Sequence, residues 1–523
     1  MKFKRGLKNI IFGLISQLLM MVLGLIIPRL FVENYGSAVN GLFSSLNQLI
    51  GYIALLEAGV GTATVQALYA PVSQKDTDGI SSVLSATRIY YRRVSLYYLL
   101  CVIGLSFIYP MVIDTSGITF EFAGMSGTLV VKIAVGIVTF LAGVAGVVNF
   151  YFQATLKQLL IAEGRGYVTS NITLIIELVM SATRIALIYS GANIILIQFG
   201  YMSVNLFQLA LYSIYFKKKY YWVNFDAKPN FESIKQKNAF LIHQISLLIF
   251  SNTGALVISM SGEKGLVYAS IYTTYNFVMH ALHKLCNTIN NSLLFMLGIT
   301  FHEDREEYIK LHDAYNTYYI AFMFSMLSVC YMLFRPFILI YTQKFDYNYD
   351  LPWLPLLFCL VELLSSVRMV SNNLISIAGH AKATIPRTIT EAAINLAVSL
   401  TLVFVCRLGI YGVLMGPIVA LLYRANDVLI YTTKHILKRG YFKSYKPVII
   451  NFAIFAVVVA LEKMMALEFT GYGQFLIYGI IFCATIIPAY FAINSLFSPA
   501  EFRYVFNILK RKIHKKTDAK NNA

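Results

Sequence analysis

A line of polar residues runs along residues 271–295, an apolar stretch long enough to cross a bilayer as a helix. Spacings of three or four residues place six polar side chains on one helical face: Thr273, Asn276, His280, Lys284, Asn287 and Asn291. A cation at the bilayer centre costs roughly 2.5–3.5 kcal/mol, so this face should meet a water-filled cavity or a partner helix. We call it the Lys284 stripe and predict that it binds substrate.

Two carboxylates lie inside apolar stretches, and each needs a proton or a cationic partner there. Glu57 is followed closely by Gly59 and Gly61, small residues that let helices approach each other. It either titrates and orients a ligand in a cavity or fixes helix packing through a hydrogen bond. Glu391 shares a helical face with Asn395 and Ser399, a set without the Arg that Arg184 provides for Glu177, so it must find a partner on another helix. Both are candidates for ion coupling.

Three arginines extend the set of substrate-binding candidates. Arg368 lies on a polar helical face, which favours a place along a polar path. Arg29 stands at the outer end of the first apolar stretch, where its side chain could instead extend to the membrane interface. Arg88 opens a span on the predicted cytoplasmic side, where contact with anionic lipid headgroups is the simpler interpretation. Arg424 and Asp427, one helical turn apart, are predicted to pair.

The remaining buried polar residues have structural interpretations. Glu177, Ser181 and Arg184 share one helical face and can balance each other's charge. His280 and His283 lack companion ligands, so neutral histidines that donate hydrogen bonds are expected rather than a metal site. The six cysteines all fall in apolar segments without metal-ligand spacing, so packing roles are expected and disulfides are not. No cofactor is expected.

The composition describes a multispanning membrane protein rather than a soluble one. Of 523 residues, 58% are hydrophobic and 13% charged, and the mean hydropathy is +0.66. Apolar runs recur nearly from end to end and predict about fourteen transmembrane helices, of which the first lies at 7–32, the second at 39–69, the fourth at 128–152, the fifth at 167–190 and the seventh at 238–260. The net charge of +18 comes mainly from short loops and termini, which fits the positive-inside rule better than a nucleic-acid partner. Both termini are therefore predicted to be cytoplasmic.

The chain divides around a polar, basic stretch. We predict, in order, an N-terminal lobe at residues 1–216, a cytoplasmic basic linker at 217–237, a C-terminal lobe at 238–433, two additional spans within 447–496 and a basic cytoplasmic tail at 497–523. Nucleotide-binding and hydrolase motifs are missing from the sequence. The predicted external loops are too short for the catalytic domain of a membrane glycan polymerase or ligase. A transporter is expected rather than an enzyme.

Several segments together resemble a known group of transporters. They are PRLFVENYGSAVNGLFSSLNQLIGYIALLEAGVGTATVQALY at residues 28–69, LLIAEGRGY at 159–167, VISMSGEKGLVYASIY at 257–272, and, in the C-terminal half, SIAGHAKATIPRTITEAAINLAVSL and LGIYGVLMGPIVALLYR. In this order the chain resembles the Wzx-like polysaccharide flippases of the multidrug/oligosaccharidyl-lipid/polysaccharide (MOP) exporter superfamily.

The resemblance implies an all-α integral membrane protein with two six-helix lobes in a V and two further C-terminal helices. It implies export of an undecaprenyl-pyrophosphate-linked oligosaccharide across a bacterial cytoplasmic (inner) membrane, for O-antigen, capsule or a related glycan, with a polysaccharide polymerase and glycosyltransferases as partners. Glu57 and the Lys284 stripe would then line facing walls of a central cavity.

Two members of the same superfamily remain alternatives, a lipid II flippase and a multidrug or organic-cation antiporter. The second would need an acidic, aromatic-lined cavity, whereas the Lys284 stripe is cationic and rich in amides. One position departs from the resemblance: many relatives carry an Asp in the seventh span, where this chain has Gly254. If that Asp couples ion flow in relatives, the coupling group of this chain lies elsewhere.

Overall fold

The computed structural model describes residues 23–57, 60–118, 127–234, 254–378, 380–465, 467–508 and 510. Within these ranges the secondary structure is helical, without strands. The predicted all-α class is therefore confirmed.

In the described ranges, the N-terminal half contains eight helices. Their bounds are α1 at 23–35, α2 at Ser37–Ile53, α3 at Val60–Gln74, α4 at Thr77–Val112, α5 at Thr128–Val148, α6 at Ala154–Ala162, α7 at Gly166–Tyr189 and α8 at Ile194–Lys219. Asp76 caps α4 by accepting hydrogen bonds from the backbone N–H groups of Asp78 and Gly79, and Asn193 caps α8 in the same way through Leu196.

In the described ranges, the C-terminal half begins with helical residues 254–259 and continues with seven long helices and a short terminal one. Their bounds are α9 at Gly265–Glu303, α10 at Arg305–Tyr341, α11 at Leu354–Ile377, α12 at Ala381–Leu400, α13 at Gly409–Tyr431, α14 at Phe442–Met465 and α15 at Tyr472–Phe497, followed by helical residues 499–508. Turns of π-helix extend α12 over Thr401–Val405 and α13 over Thr432–Leu437. Asp304 caps α10 through the N–H groups of Glu306 and Glu307.

Ten helices in the described ranges are long and apolar enough to cross a membrane. The chain is thus a multi-pass membrane protein, and the count of about fourteen stays a prediction. The predicted first span, 7–32, and the predicted seventh, 238–260, fall largely outside the described residues.

The chain forms two compact units. The N-terminal unit comprises Met1–Thr274 with Phe345–Tyr347 and Val403–Ile410, and the C-terminal unit comprises Tyr275–Lys344, Asn348–Leu402 and Tyr411–Ala523. One boundary therefore falls inside α9. The division into lobes at the basic linker stays a prediction.

The predicted second span, 39–69, is not one continuous helix. Helix α2 tightens into a 3₁₀ turn at Ala54–Leu56, and α3 begins anew at Val60. The backbone N–H of Glu57 bonds the carbonyl of Ala54, and the N–H of Val60 bonds the carbonyl of Glu57. Interrupted helices are tolerated at membrane depth where they are buried in protein or line a cavity.

The predicted fourth span, 128–152, ends too early. The structure continues this segment from Thr128 to Ala162, because a π-helical turn at Asn149–Gln153 joins α5 to α6 without breaking the chain of helical hydrogen bonds. Such turns insert one extra residue and are frequent at functional sites. The extension places Lys157 inside the helical segment rather than in a loop.

Residues after α8 fold back over the N-terminal unit. The N–H of Asn224 donates to the Ser81 hydroxyl at 3.2 Å, and the Ser82 hydroxyl donates to the carbonyl of Lys228 at 2.8 Å. Ile234 is buried with Ala63 and Ala86. The part of the predicted linker that the structure describes is therefore held against α4 and α3.

Helices α2 and α9 approach each other closely within the N-terminal unit. Asn40 donates to the hydroxyl of Ser270 at 2.7 Å, and the hydroxyls of Ser44 and Thr273 are 3.2 Å apart. Gly41 faces the backbone of Leu266, where a Cβ would overlap the carbonyl group. Small residues at this crossing permit a backbone-to-backbone distance that larger side chains would prevent.

Candidate functional site

The N-terminal unit contains a polar cavity of about 240 Å³ among helices α2, α5, α6, α7 and α8. The apolar residues that line it are Phe43, Leu46, Ile50, Ala142, Ala145 and Gly146. The polar residues that line it are Asn47, Asn149, Lys157, Arg184, Gln198, Tyr201, Asn205 and Gln208. We call this the N-terminal cavity. Polar groups within membrane-spanning helices mark substrate or ion pathways in many membrane proteins.

Both charged groups in the lining of this cavity are cations. Lys157 donates from Nζ to Oδ1 of Asn149 at 2.7 Å, and its Nζ lies 5.3 Å from the ring centre of Tyr212. The guanidinium carbon of Arg184 lies 4.4 Å from the ring centre of Tyr201. Aromatic faces attract cations while leaving their N–H groups available to a ligand.

The π-helical turn and the helix α8 supply most of the amides. Asn149 is the first residue of the turn, and its side chain reaches Lys157 two helical turns later. Gln198 and Gln208, respectively 3% and 9% exposed, project from α8 into the cavity. The spacing of seven between Gln198 and Asn205 keeps their side chains on one helical face.

Glu57 lies at the break between α2 and α3, beside but not in the lining of the N-terminal cavity. The buried hydroxyl of Tyr91 donates to its Oε1 at 2.6 Å, and Nε2 of Gln158 donates to the same hydroxyl at 3.3 Å. A Cβ at Gly61 would come within 3.2 Å of the Glu57 carboxylate. The glycine therefore leaves room for the carboxylate of Glu57, in agreement with the small residues that follow Glu57 in the sequence.

Glu391 is the centre of an ion-pair network in the C-terminal unit. It is 3% exposed and pairs with Nη1 of Arg368, on α11, and, at 3.4 Å, with Nε of Arg424, on α13. The expectation that Glu391 finds its partner on another helix is confirmed. The predicted pair of Arg424 and Asp427 is also confirmed, at 2.8 Å, and Arg387 pairs with Asp427 at 3.3 Å.

The Lys284 stripe begins in the N-terminal unit and continues into the C-terminal one. Asn276 is half-buried, and His280 and Lys284 are exposed. Neighbouring His283 places Nδ1 2.9 Å from Oε2 of Glu362. The side chains of two further members, Asn287 and Asn291, lie outside the described part of the structure. The stripe's role in substrate binding stays a prediction.

The other two arginine candidates lie beside side chains of their own unit. Nε of Arg29 donates to Oε1 of Glu33, one helical turn away, at 2.9 Å. The guanidinium carbon of Arg88 lies 5.0 Å from the ring centre of Phe225, in the segment that follows α8. These contacts position both guanidinium groups, and their roles toward substrate or lipid remain predictions.

Gly254 has a structural reason to lack a side chain. A Cβ at this position would overlap the ring of Tyr272, which is itself buried. An aspartate could not fit here without moving that ring. The described residues include no group of three or more His, Cys, Asp or Glu side chains placed to hold a metal ion.

Sequence reasoning missed most of the N-terminal cavity. From the sequence alone, Arg184 only balances the charge of Glu177, and Lys157 falls between the predicted fourth and fifth spans. The available signal was a lysine and several amides within otherwise apolar stretches. These residues lie on separate helices, so only the folded structure shows that their side chains meet in one cavity.

A chain with this fold has counterparts among solved structures. An inward-facing multidrug resistance MATE family transporter of the MOP superfamily is similar with a TM-score of 0.61 and 14% identity, over 80% of this chain and 98% of that one. The lipid II flippase MurJ in an inward closed conformation has a TM-score of 0.61 and 13% identity, over 94% of this chain and 99% of that one.

An outward-facing multidrug resistance MATE family transporter of the MOP superfamily is also similar, with a TM-score of 0.52 and 13% identity, over 81% of this chain and 92% of that one. No protein-family model matches the chain. No curated protein matches it either. The structural likeness confirms the fold class predicted from the sequence: this chain has the fold of the MOP-superfamily transporters.

Proposed function

We propose that this chain is a flippase that moves an undecaprenyl-pyrophosphate-linked oligosaccharide from the cytoplasmic to the outer leaflet of a bacterial inner membrane. Alternating access of two lobes would expose the glycan first to one side and then to the other. The observation that carries the proposal is the lining of the N-terminal cavity, whose charged groups are Lys157 and Arg184. An anionic, hydroxylated substrate complements such a wall.

The same observation disfavours an organic-cation antiporter. A cationic drug would meet two like charges, whose repulsion is strong where water is scarce. A lipid II flippase remains the second candidate, because the MurJ structure covers 94% of this chain against 80% for the inward-facing multidrug transporter. Lipid II shares the undecaprenyl-pyrophosphate carrier, so the two candidates differ in the glycan.

Deletion of the gene tests the proposal. We expect loss of a surface polysaccharide, such as O-antigen or capsule, and accumulation of its undecaprenyl-linked oligosaccharide on the cytoplasmic side. Accumulation of lipid II with failing wall synthesis would support the second candidate. Unchanged surface glycan, unchanged lipid-linked intermediates and increased drug sensitivity would contradict both and favour the antiporter.

Within this proposal the Lys284 stripe and Arg368 attract the pyrophosphate, and Asn276, His280, Asn287 and Asn291 hydrate the sugars. Arg29 and Arg88 guide the headgroup at the two membrane surfaces. The polyprenyl tail remains in lipid throughout. A desolvated cation interacts strongly with a phosphate, so one well-placed lysine has a large effect on transport.

Replacement of Lys284 by Ala is therefore expected to abolish glycan export while the protein remains folded and inserted. Export is measured by complementing the deletion strain and quantifying surface polysaccharide. Lys310→Ala, at an exposed position of α10, is the matched control and should restore export fully. Undiminished export with Lys284→Ala would remove this lysine from the mechanism.

Ion coupling has Glu57 and Glu391 as its acidic candidates. The carboxylate of Glu391 already contacts two guanidinium groups, which favours Glu57 for this role. Glu57→Gln should then uncouple transport in vesicles from an imposed proton or sodium gradient. Transport by the unaltered protein that is insensitive to both gradients would count against coupling through either residue.

A further inference from the structure

Amide side chains form a large part of the lining of the N-terminal cavity. Gln198 and Gln208 are buried residues of α8, whereas Asn47 stands at an exposed position of α2, and all three line the cavity. An amide both donates and accepts hydrogen bonds. These side chains therefore favour a polar occupant with hydroxyl groups over an apolar one.

The charge of the lining restricts this occupant further. Lys157 and Arg184 supply positive charge, while the nearby acids Glu57 and Glu177 do not line the cavity. Asn149 and Tyr212 hold the ammonium group of Lys157, and the ring of Tyr201 supports the guanidinium of Arg184. Two positioned cations with several N–H donors are suited to a carboxylate.

The size of the cavity excludes a whole oligosaccharide. Its volume of about 240 Å³ lies below the ~300–1,000 Å³ of pockets for drug-sized ligands, so one sugar ring or a small anion is the appropriate scale. Amides both donate and accept hydrogen bonds, which suits the hydroxyl groups of a sugar. Phe43, Leu46 and Ile50 add an apolar contribution to the lining.

From these three properties we propose that the N-terminal cavity binds a single acidic sugar, a hexose that carries a carboxylate. Lys157 and Arg184 hold the carboxylate, and Gln198, Gln208 and Asn47 bind the hydroxyl groups. This inference rests on the proposed function, because the sugar would be one residue of the transported glycan. It adds a substrate class and a site that the Lys284 stripe does not include.

The test is ligand binding to the full chain in lipid nanodiscs, measured by saturation-transfer NMR titration with sodium glucuronate, glucose and inorganic phosphate as probes. Glucuronate is expected to bind at least about tenfold more tightly than glucose. Glucose lacks the carboxylate, and losing about one charge-assisted hydrogen bond weakens binding by about this factor. Phosphate should compete only weakly. Equal binding of glucuronate and glucose would overturn the proposal, and tight competition by phosphate would indicate a small-anion site instead.

Variants locate the binding to this cavity. Lys157→Gln and Gln198→Glu should each weaken glucuronate binding about tenfold or more, the first by removing a cation and the second by adding a like charge. Lys132→Gln, in α5 but outside the cavity lining, should leave it unchanged. Gln198→Glu is nearly isosteric, so it tests the site even if Lys157→Gln fails to fold. Unaltered binding in Gln198→Glu would overturn the proposal.

The binding assay and the deletion test distinguish failure of the cavity proposal from failure of the flippase proposal. If glucuronate binds as expected while gene deletion leaves every surface polysaccharide unchanged, the flippase proposal is wrong and the anionic-sugar site stands without it. If deletion abolishes a surface polysaccharide but glucuronate does not bind, the flippase stands and the cavity proposal is wrong.

Discussion

Glu391→Gln is expected to destabilise the C-terminal unit by about 3–5 kcal/mol, the usual cost of removing one partner from a buried ion pair. The carboxylate lies between the guanidinium groups of Arg368 and Arg424 and is 3% exposed. Glutamine keeps the shape but removes the negative charge. The guanidinium groups of Arg368 and Arg424, on two different helices, would then repel each other without it, and burial weakens the screening of this repulsion by water.

Thermal unfolding of the purified protein in detergent measures this effect. Glu468→Gln, at an exposed position outside the network, is the matched control and should change the free energy of unfolding by no more than about 0.5 kcal/mol. The double variant Glu391→Leu with Arg368→Met should recover much of the lost stability, because it removes one charge of each sign. An unfolding temperature of Glu391→Gln equal to that of the control would contradict this account.

The second large effect is expected from Gly41→Ala, which should destabilise the protein by about 3 kcal/mol, at the upper end for overpacked sites. An added Cβ would overlap the backbone carbonyl of Leu266. Because the obstacle is backbone, no side chain can rotate away, and α2 must separate from α9. The hydrogen bond between Asn40 and Ser270 would be lost with the contact.

Gly51→Ala provides an exact comparison in the same helix. A Cβ at Gly51 would meet no atom within 4 Å, so this change should be neutral or stabilising by up to about 1 kcal/mol through helix propensity. Unfolding temperature and elution profile in size-exclusion chromatography are measured for both variants. Equal behaviour of the two alanines would show that α2 and α9 can separate without cost.

Local features of the sequence predicted the helices and several polar contacts well. Hydropathy identified the apolar segments, and the spacing of Arg424 and Asp427 predicted their ion pair. The set of Glu391, Asn395 and Ser399 contains no Arg, which predicted a partner for Glu391 on another helix, because an unpaired carboxylate is costly within the membrane. These inferences depend on one helix at a time, for which periodicity is sufficient.

Features that depend on several helices could not be predicted in this way. The interruption at Ala54–Leu56 keeps the hydropathy of an unbroken span, and its stabilising contact comes from Tyr91 on another helix. The π-helical turn before Ala154 has no distinctive residue type, so the predicted fourth span ends before the helix does and leaves Lys157 outside it. Neither the hydropathy nor the spacing of polar residues along one helix predicted the N-terminal cavity.

The fold-back of residues after α8 also affects how the protein can be engineered. A basic, polar stretch between two halves invites the insertion of an epitope, a protease site or a fluorescent protein. Here an insertion between Asn224 and Lys228 would separate two hydrogen bonds to α4 and displace Phe225 from Arg88. The segment is therefore a poor site for inserting another protein or an epitope. Tyr221, which is 84% exposed, is a suitable site for labelling a single residue.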